Sequence, residues 1–381
     1  MEQLESTQPN RALYLAWKKG EHCPELDGVR GLAILMVSVY RFSREWNPEW
    51  HPLLASAKQF LAFGERGVEL FFVLSGFLIT GILLRTREKP KFFINFIGRR
   101  ALRIFPLYYL ALFLLLIVVP YWIVTPKIEL ALKQPWFLWT YTSNLAMSWQ
   151  NQWCFGWMDH FWSLAVEEHF YLFWPIIVYL LAPKHLLRFC VVGIVVVSGS
   201  RVLAARHPGM DVAVDVCTLF RADALLMGAA LACFVFLDKH VPKIGRWASY
   251  SLPILFVLCL VAALRGGRYG TAFLTVTPLM WTLFLCMLVT TDWPHIALGW
   301  IRQRGLQWLG KYSYSMYVFQ LPLVSLCTMG WFIQATRLEG VHPILQSLAY
   351  LTAMMVTIMG IAWLSFHLWE KHFLKLKRWL D

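Results

Sequence analysis

The chain has 381 residues, of which 58% are hydrophobic and only 15% charged, and its mean hydropathy is +0.53. A water-soluble domain of this size carries more charge, so the composition excludes an ordinary soluble fold and points to a membrane protein. The net charge of +13 does not indicate nucleic acid, because the basic residues are scattered between apolar runs and form no basic polar domain.

Crossing a bilayer takes about 20 apolar residues, and runs of that order lie at 28–46, 67–84, 104–124, 161–182, 189–205, 216–237, 249–264, 271–291, 313–333 and 344–366. They predict an all-α, polytopic transmembrane helical bundle of about ten spans in the cell inner (cytoplasmic) membrane. An eleventh candidate, 136–149, is short and contains Asn144. With both termini cytoplasmic and ten spans, the inner segments hold most of the Lys and Arg, including the cluster from Arg85 to Arg103. Counting 136–149 as a span reverses that bias for every later loop. Residues 125–160 therefore read as an outer loop with a re-entrant or interfacial segment. Its Trp136, Trp139, Trp149, Trp153 and Trp157 suit an interfacial belt, or a platform for stacking a glycan.

Residues 1–25 form a polar cytoplasmic segment without the order of a cleavable signal, 26–371 a single transmembrane domain, and 372–381 a basic cytoplasmic tail. Eight cysteines stand singly with no CxxC pair, so neither a disulfide framework nor a metal site is expected. The halves show no internal repeat of the kind transporters carry.

The polar residues inside these runs are the candidate functional groups. The first span carries Asp27, Arg30 and Arg41. At 100° per residue, Arg30 and Arg41 fall within about 20° of one helix face, roughly 16 Å apart, which suits an anionic guest or paired carboxylates. Snorkelling at the two ends of the span is the simpler alternative. In the second span, Glu69 is expected to pair with one of these arginines, and Ser75-Gly76 reads as a close-packing site before a nucleophile. Ahead of the third span, Arg99 and Arg103 are one helical turn apart and so placed to converge on a phosphorylated ligand, with Arg100 and Tyr108 nearby. Setting topology and touching lipid headgroups is their bland role.

The fourth span is the most informative. Glu167 and Glu168 sit side by side between Trp162-Ser163 and Tyr171 in an apolar stretch, and ionisable residues at that depth are by default functional. His160 lies two helical turns before Glu167, so the two face nearly the same way, as a carboxylate-oriented imidazole base requires. Further on, Arg221 and Asp223 suit structural ion pairing across helices, and Tyr317 and Gln320 place hydrogen-bonding groups in the ninth span.

The blocks LDGVRGLAILMV, GVELFFVLSGFLITGIL, RRALRIFPLYY, HFWSLAVEEHFYLFWP, RADALLMGAALA and YSYSMYVFQLP, with a terminal WEKHF, occur in one order from Leu26 to about Lys371. In them the chain resembles the acyltransferase 3 family, integral-membrane acyltransferases that modify carbohydrates such as O-antigen, peptidoglycan and exopolysaccharide. The resemblance implies a donor acyl-CoA, usually acetyl-CoA, entering from the cytoplasm, no permanently bound cofactor or metal, and a hydroxyl acceptor on a glycan or glycolipid among membrane lipids. At two positions the chain departs from the family pattern. Arg30 matches its first motif, but the usual His after it is Arg41, and the His that usually ends the last motif is Gln320. A guanidinium stays protonated and cannot act as a general base. The expected catalytic set is therefore His160, Glu167 and Glu168, with Arg30, Arg41, Arg99, Arg100, Arg103, Tyr108 and Gln320 toward the donor. Asp27, Glu69, Ser75, Trp162, Ser163, Tyr171, Arg221, Asp223 and Tyr317 are expected to contact substrate or hold the structure. The rival readings are an inert relative that binds acyl-CoA or glycolipid, and a secondary transporter.

Overall fold

In hydrocarbon every backbone N–H and C=O must be paired within its own segment, which leaves an apolar chain only helices or closed barrels. The structure, a computed structural model, describes residues 16–17, 19–123, 126–237, 241–264, 273–290 and 299–380, and among them there is no strand. Each predicted apolar run carries one long helix: α1 Pro24–Ser43, α2 Gly67–Thr86, α3 Phe92–Phe113, α4 Phe161–Leu180, α5 Pro183–Ala204, α6 Thr218–Leu237, α7 Val241–Leu264, α8 Phe273–Thr290, α9 Arg304–Leu326 and α10 Pro343–Ser365. Proline opens α1, α5 and α10, where its missing N–H is lost at no cost. α3 continues through a π turn at Leu114–Val118 into Val119–Trp122.

Seven of these stretches are long and apolar enough to cross a bilayer, or eight when α9 is joined to Met329–Thr336 across a bend of 67°. The two that fall short are α1 and α4, whose apolar runs are interrupted by Glu25, Asp27, Arg30 and Arg41 in one and by Glu167, Glu168 and His169 in the other. α2 lies at the centre, 78% of its apolar window being buried, whereas α5 at 17% faces outward.

Two helix pairs are drawn together by glycine. A Cβ added to Gly31 or Gly310 would overlap the carbonyl oxygens of Leu306 and Asp27, so α1 and α9 meet backbone to backbone. Gly76 and Gly228 do the same for α2 and α6, against the carbonyls of Leu225 and Val73. Without a hydrophobic force between helices in lipid, such small-residue seams are what permit close van der Waals packing.

Short helices at Pro126–Lys133, Trp136–Trp139 and Ser143–Gln150 form a cap over one end of the bundle. It is seated by Tyr108, whose hydroxyl donates to the Leu138 carbonyl at 2.7 Å, and by Asn144, whose amide donates to Thr218 Oγ1 at 2.8 Å. Of the predicted aromatic belt, Trp136, Trp149 and Trp153 are exposed, but Trp157 is buried in the core. The chain ends are also less free than their polarity suggests. Residues 1–15 and Lys18 lie outside the described residues, yet Trp17 is buried, stacked on Phe77 and bridged to Arg85, which donates to its carbonyl. The basic tail continues as helical turns at Lys371–Lys375 and Leu376–Leu380, and Arg99 donates to the Leu380 carbonyl. Asp381 lies outside the described residues.

Candidate functional site

The close α1–α9 and α2–α6 seams leave room between them and α3 and α4. There the structure holds a cavity of about 110 Å³, lined by residues of all five helices α1, α2, α3, α4 and α9. Arg30 of α1 and Arg100 and Arg103 of α3 line it, as do Ser75 of α2 and Ser163, Glu167, Glu168 and Tyr171 of α4. Ser313, Tyr314 and Tyr317 of α9 complete the polar lining.

The cationic part has few anions of its own. Arg30 shares Asp27 at 3.0 Å with His22, which reaches the other carboxylate oxygen at 2.7 Å. Among the described residues, Arg100 and Arg103 have no carboxylate within ion-pair distance; Arg100 lies instead over the rings of Tyr171, at 5.7 Å, and Phe96, at 5.8 Å. The pair that converges on the cavity is therefore Arg100 and Arg103, three residues apart. Arg99, expected to act with Arg103, is exposed and turned to the C-terminal turn.

Glu167 and Glu168 share the cavity with these cations. Ser75 and Tyr171 are joined beside them, hydroxyl to hydroxyl, at 2.5 Å. The Glu168 Oε1 is buried without a hydrogen-bond partner. A buried carboxylate oxygen left unpaired carries a desolvation cost.

Toward the cap, a second polar cluster gathers about Tyr317. His160 caps the start of α4, and its Nε2 lies 3.2 Å from the Val318 carbonyl. A carbonyl only accepts, so Nε2 carries the proton and Nδ1 presents a bare lone pair. That Nδ1 is buried with no partner. The Tyr317 hydroxyl donates to the His160 carbonyl at 3.1 Å and lies 2.5 Å from Ser163 Oγ, while the Arg41 guanidinium stands 5.6 Å from the Tyr317 ring. Ser38 donates to Gln320 Oε1 at 3.3 Å. Arg41 Nε and Gln320 Nε2 are both buried donors without partners.

Several sequence expectations change here. Among the described residues no hydrogen bond joins His160 to Glu167 or Glu168; the imidazole is held by α9, with Tyr317 beside it and lining the cavity. Arg41 and Gln320, expected near the donor with Arg30, lie outside the cavity lining in the cap-side cluster, because Arg41 stands three turns nearer the cap than Arg30. Tyr108, expected toward the donor, lies outside the cavity lining: it is wholly buried beneath the cap and stacked on Tyr141 at 4.0 Å between ring centres. Glu69 pairs with neither Arg30 nor Arg41. It accepts from Arg66 at 3.0 Å and Arg221 at 2.7 Å, and Arg221 also lies 5.5 Å from the ring of Trp162. Asp223 pairs with Arg201 at 2.5 Å, so the two charges at the start of α6 serve separate cross-helix ion pairs. Ser313 and Tyr314 were not singled out from sequence, although the alternating hydroxyls of YSYSMY were a visible signal. Among the described residues no group of His, Cys, Asp or Glu could hold a metal ion.

An acyltransferase domain is matched over residues 24–367 of the chain. The peptidoglycan O-acetyltransferase OatA of Listeria monocytogenes is 31% identical over 333 residues, covering 81% of this chain and 50% of that protein. The O-acetyltransferase OatA of Staphylococcus aureus is 25% identical over 347 residues, covering 85% and 53%. A putative O-acetyltransferase of the same organism is 26% identical over 360 residues, covering 87% and 54%. The chain thus spans about half the length of the curated relatives it matches. No solved structure matches it.

Proposed function

We propose, from the premise that this chain belongs to the acyltransferase family matched over residues 24–367, that it moves an acyl group, acetyl in the first instance, from acyl-CoA to a hydroxyl of a cell-surface carbohydrate or glycolipid. One observation carries the reading. Two arginines that among the described residues have no carboxylate within ion-pair distance share a cavity with a pair of adjacent carboxylates, and five helices are packed to hold them there. The named activity of the relatives, O-acetylation, in one case of peptidoglycan, supports the acceptor class.

In this reading the bundle spans the inner membrane about ten times with both termini cytoplasmic, and α1 and α4 cross despite their charges because their ionisable groups face the cavity and its neighbouring clusters. The donor enters at the end where Arg30, Arg100 and Arg103 lie, and those guanidiniums hold its phosphates. At the cap-side cluster, His160 Nδ1 accepts a hydrogen bond from the acceptor hydroxyl, whose oxygen is in turn offered the orphan N–H groups of Arg41 and Gln320. His160 takes the hydroxyl proton as the oxygen attacks the thioester carbonyl. The new C–O bond forms, the C–S bond breaks, and the Glu167–Glu168 pair, which begins the cycle with one proton shared between its carboxyl groups, gives that proton to the departing sulfur. Exchange through water then carries the proton from His160 back to the carboxylates. No covalent enzyme intermediate is needed.

The test is transfer of labelled acetyl from acetyl-CoA to a peptidoglycan fragment by the purified protein in lipid nanodiscs. Label appears in the glycan as an ester with the native chain and not with Glu167→Gln. A second reading, a relative that binds acyl-CoA without transferring it, is favoured by Arg41 and Gln320 standing where the family usually has imidazoles; it predicts CoA binding with no transfer.

A further inference from the structure

The turn at Leu376–Leu380 lies against the first part of α3, next to the residues that carry the donor-end arginines. Arg99 donates from both Nε and Nη2 to the Leu380 carbonyl, at 3.4 and 3.2 Å. The Leu380 side chain packs so closely on α3 that a Cβ at Gly98 would approach it to 2.9 Å. Just before, Trp369 Nε1 donates to the Pro106 carbonyl at 2.9 Å. These contacts pin residues 369–380 along α3 between Gly98 and Pro106, the stretch that carries Arg100 and Arg103.

The pinned segment brings in another cation. Lys377 is half-buried and stands within electrostatic reach of Arg103, Arg100, Arg99 and Arg30. Among the described residues the carboxylates near this group are Asp27, which is shared with His22, Glu370, which is committed to Ser315 at 2.5 Å and Ser365 at 3.1 Å, and Glu167 and Glu168 within the cavity. Packing a further positive charge against Arg100 and Arg103, which among the described residues have no carboxylate within ion-pair distance, is repulsive, and a fold keeps such a grouping where a multiply charged anion offsets it. Flexible lysine tips suit a phosphate as point charges, whereas the arginine forks bind it bidentately.

We infer that Lys377, presented by the C-terminal turn at Leu376–Leu380, completes with Arg30, Arg100 and Arg103 a polyphosphate subsite for the nucleotide end of the acyl donor. This rests on the acyl-CoA reading above and adds to it a residue and a segment that the family match over 24–367 does not reach. The turn is then a strap that closes on the donor, and its contacts through Leu380 fix the position of Lys377.

The subsite is tested by isothermal titration of CoA, and separately of dephospho-CoA and acetyl-pantetheine, into the protein in nanodiscs of neutral phosphatidylcholine. Lys377→Ala weakens CoA binding roughly tenfold, the worth of one charge-assisted contact, and Lys377→Arg restores most of it. Binding falls less steeply with salt for Lys377→Ala than for the native chain, because one fewer ionic contact is lost. Acetyl-pantetheine, which lacks the phosphates in question, binds both chains alike. Displacing the strap with Leu380→Asp reproduces the loss without touching the lysine. Equal CoA affinity and equal salt slope for the native chain and Lys377→Ala overturn the inference while leaving the donor reading intact. Failure of the native chain to bind CoA sinks the donor reading itself. If instead the cluster serves anionic lipid, titrating phosphatidylglycerol into the discs competes with CoA in the native chain and CoA affinity is insensitive to Lys377, which also overturns the inference.

Discussion

Asp223 is held by more partners than any other buried carboxylate of the bundle described above, which makes the cost of losing it calculable. It accepts from Arg201 Nη1 at 3.0 Å and Nη2 at 2.5 Å, from Ser198 Oγ at 3.4 Å and from the Ala224 N–H at 3.0 Å, and the pair is 0% and 1% exposed. In Asp223→Ala the guanidinium stays buried with only the Phe220 carbonyl and the Thr275 hydroxyl to meet it. Removing one member of a buried ion pair costs about 3–5 kcal/mol, whereas replacing both by apolar side chains of similar volume is close to neutral. Asp223→Ala should therefore lower the unfolding midpoint in a fixed detergent by roughly 5 °C or more. Arg201→Met combined with Asp223→Leu should recover most of that loss, giving a coupling energy of about 2 kcal/mol or more. The assay is thermal unfolding followed by tryptophan fluorescence for the native chain, both single variants and the double. A midpoint for Asp223→Ala within 1 °C of the native value, or singles whose losses simply add, would refute the reasoning.

Four further outcomes follow from the same geometry. Glu167→Gln, which keeps shape and removes the carboxylate, should lower the transfer rate by about 100-fold or more while CoA affinity in equilibrium titration stays within a factor of about three. Arg103→Ala should do the reverse, raising KM for acetyl-CoA about tenfold with kcat little changed; a fall in kcat alone would remove Arg103 from the donor end. Gly310→Leu would drive a side chain into the Asp27 carbonyl, force α1 from α9 and abolish both folding yield and activity, so a normally folded variant would show the seam to be dispensable. In the cap, burial and the neighbouring Asp159 push the Cys154 thiol up to about 11. Because the thiolate is the reactive form, alkylation of Cys154, read by peptide mass spectrometry, should rise about tenfold per pH unit from 7 to 9 without levelling, whereas a plateau near pH 8.5 would mean the thiol is unperturbed.

The bundle was legible because its evidence is local: an apolar run of 20 residues between basic loops declares a helix wherever it occurs, and all ten predicted runs carry one. The adjacent Glu167 and Glu168 were legible for the converse reason, as charge out of place in such a run. What the sequence hid is azimuth and partnership. Arg99, Arg100 and Arg103 are all basic and closely spaced, and only the way α3 packs decides that Arg99 turns outward while the other two line the cavity. Glu69 finds Arg221 across 152 residues, and no spacing rule links them. Arg41 and Gln320, the two departures from the family pattern, come to one cluster only because the glycine seam draws α1 onto α9. Lys377 falls in the basic cytoplasmic tail expected at 372–381, and nothing in a basic segment shows that Leu380 anchors it on Gly98.

The account stands most directly on the claim that the cavity and the cap-side cluster, which meet at Tyr317, together join a donor on one face of the membrane to an acceptor on the other. Proteoliposomes containing the protein in a single orientation, with labelled acetyl-CoA inside and a peptidoglycan fragment outside, test it. The account predicts base-labile acetyl label on the external glycan, lost in Glu167→Gln and in His160→Ala. Label that appears only when donor and acceptor share a compartment, or that persists in Glu167→Gln, would contradict it.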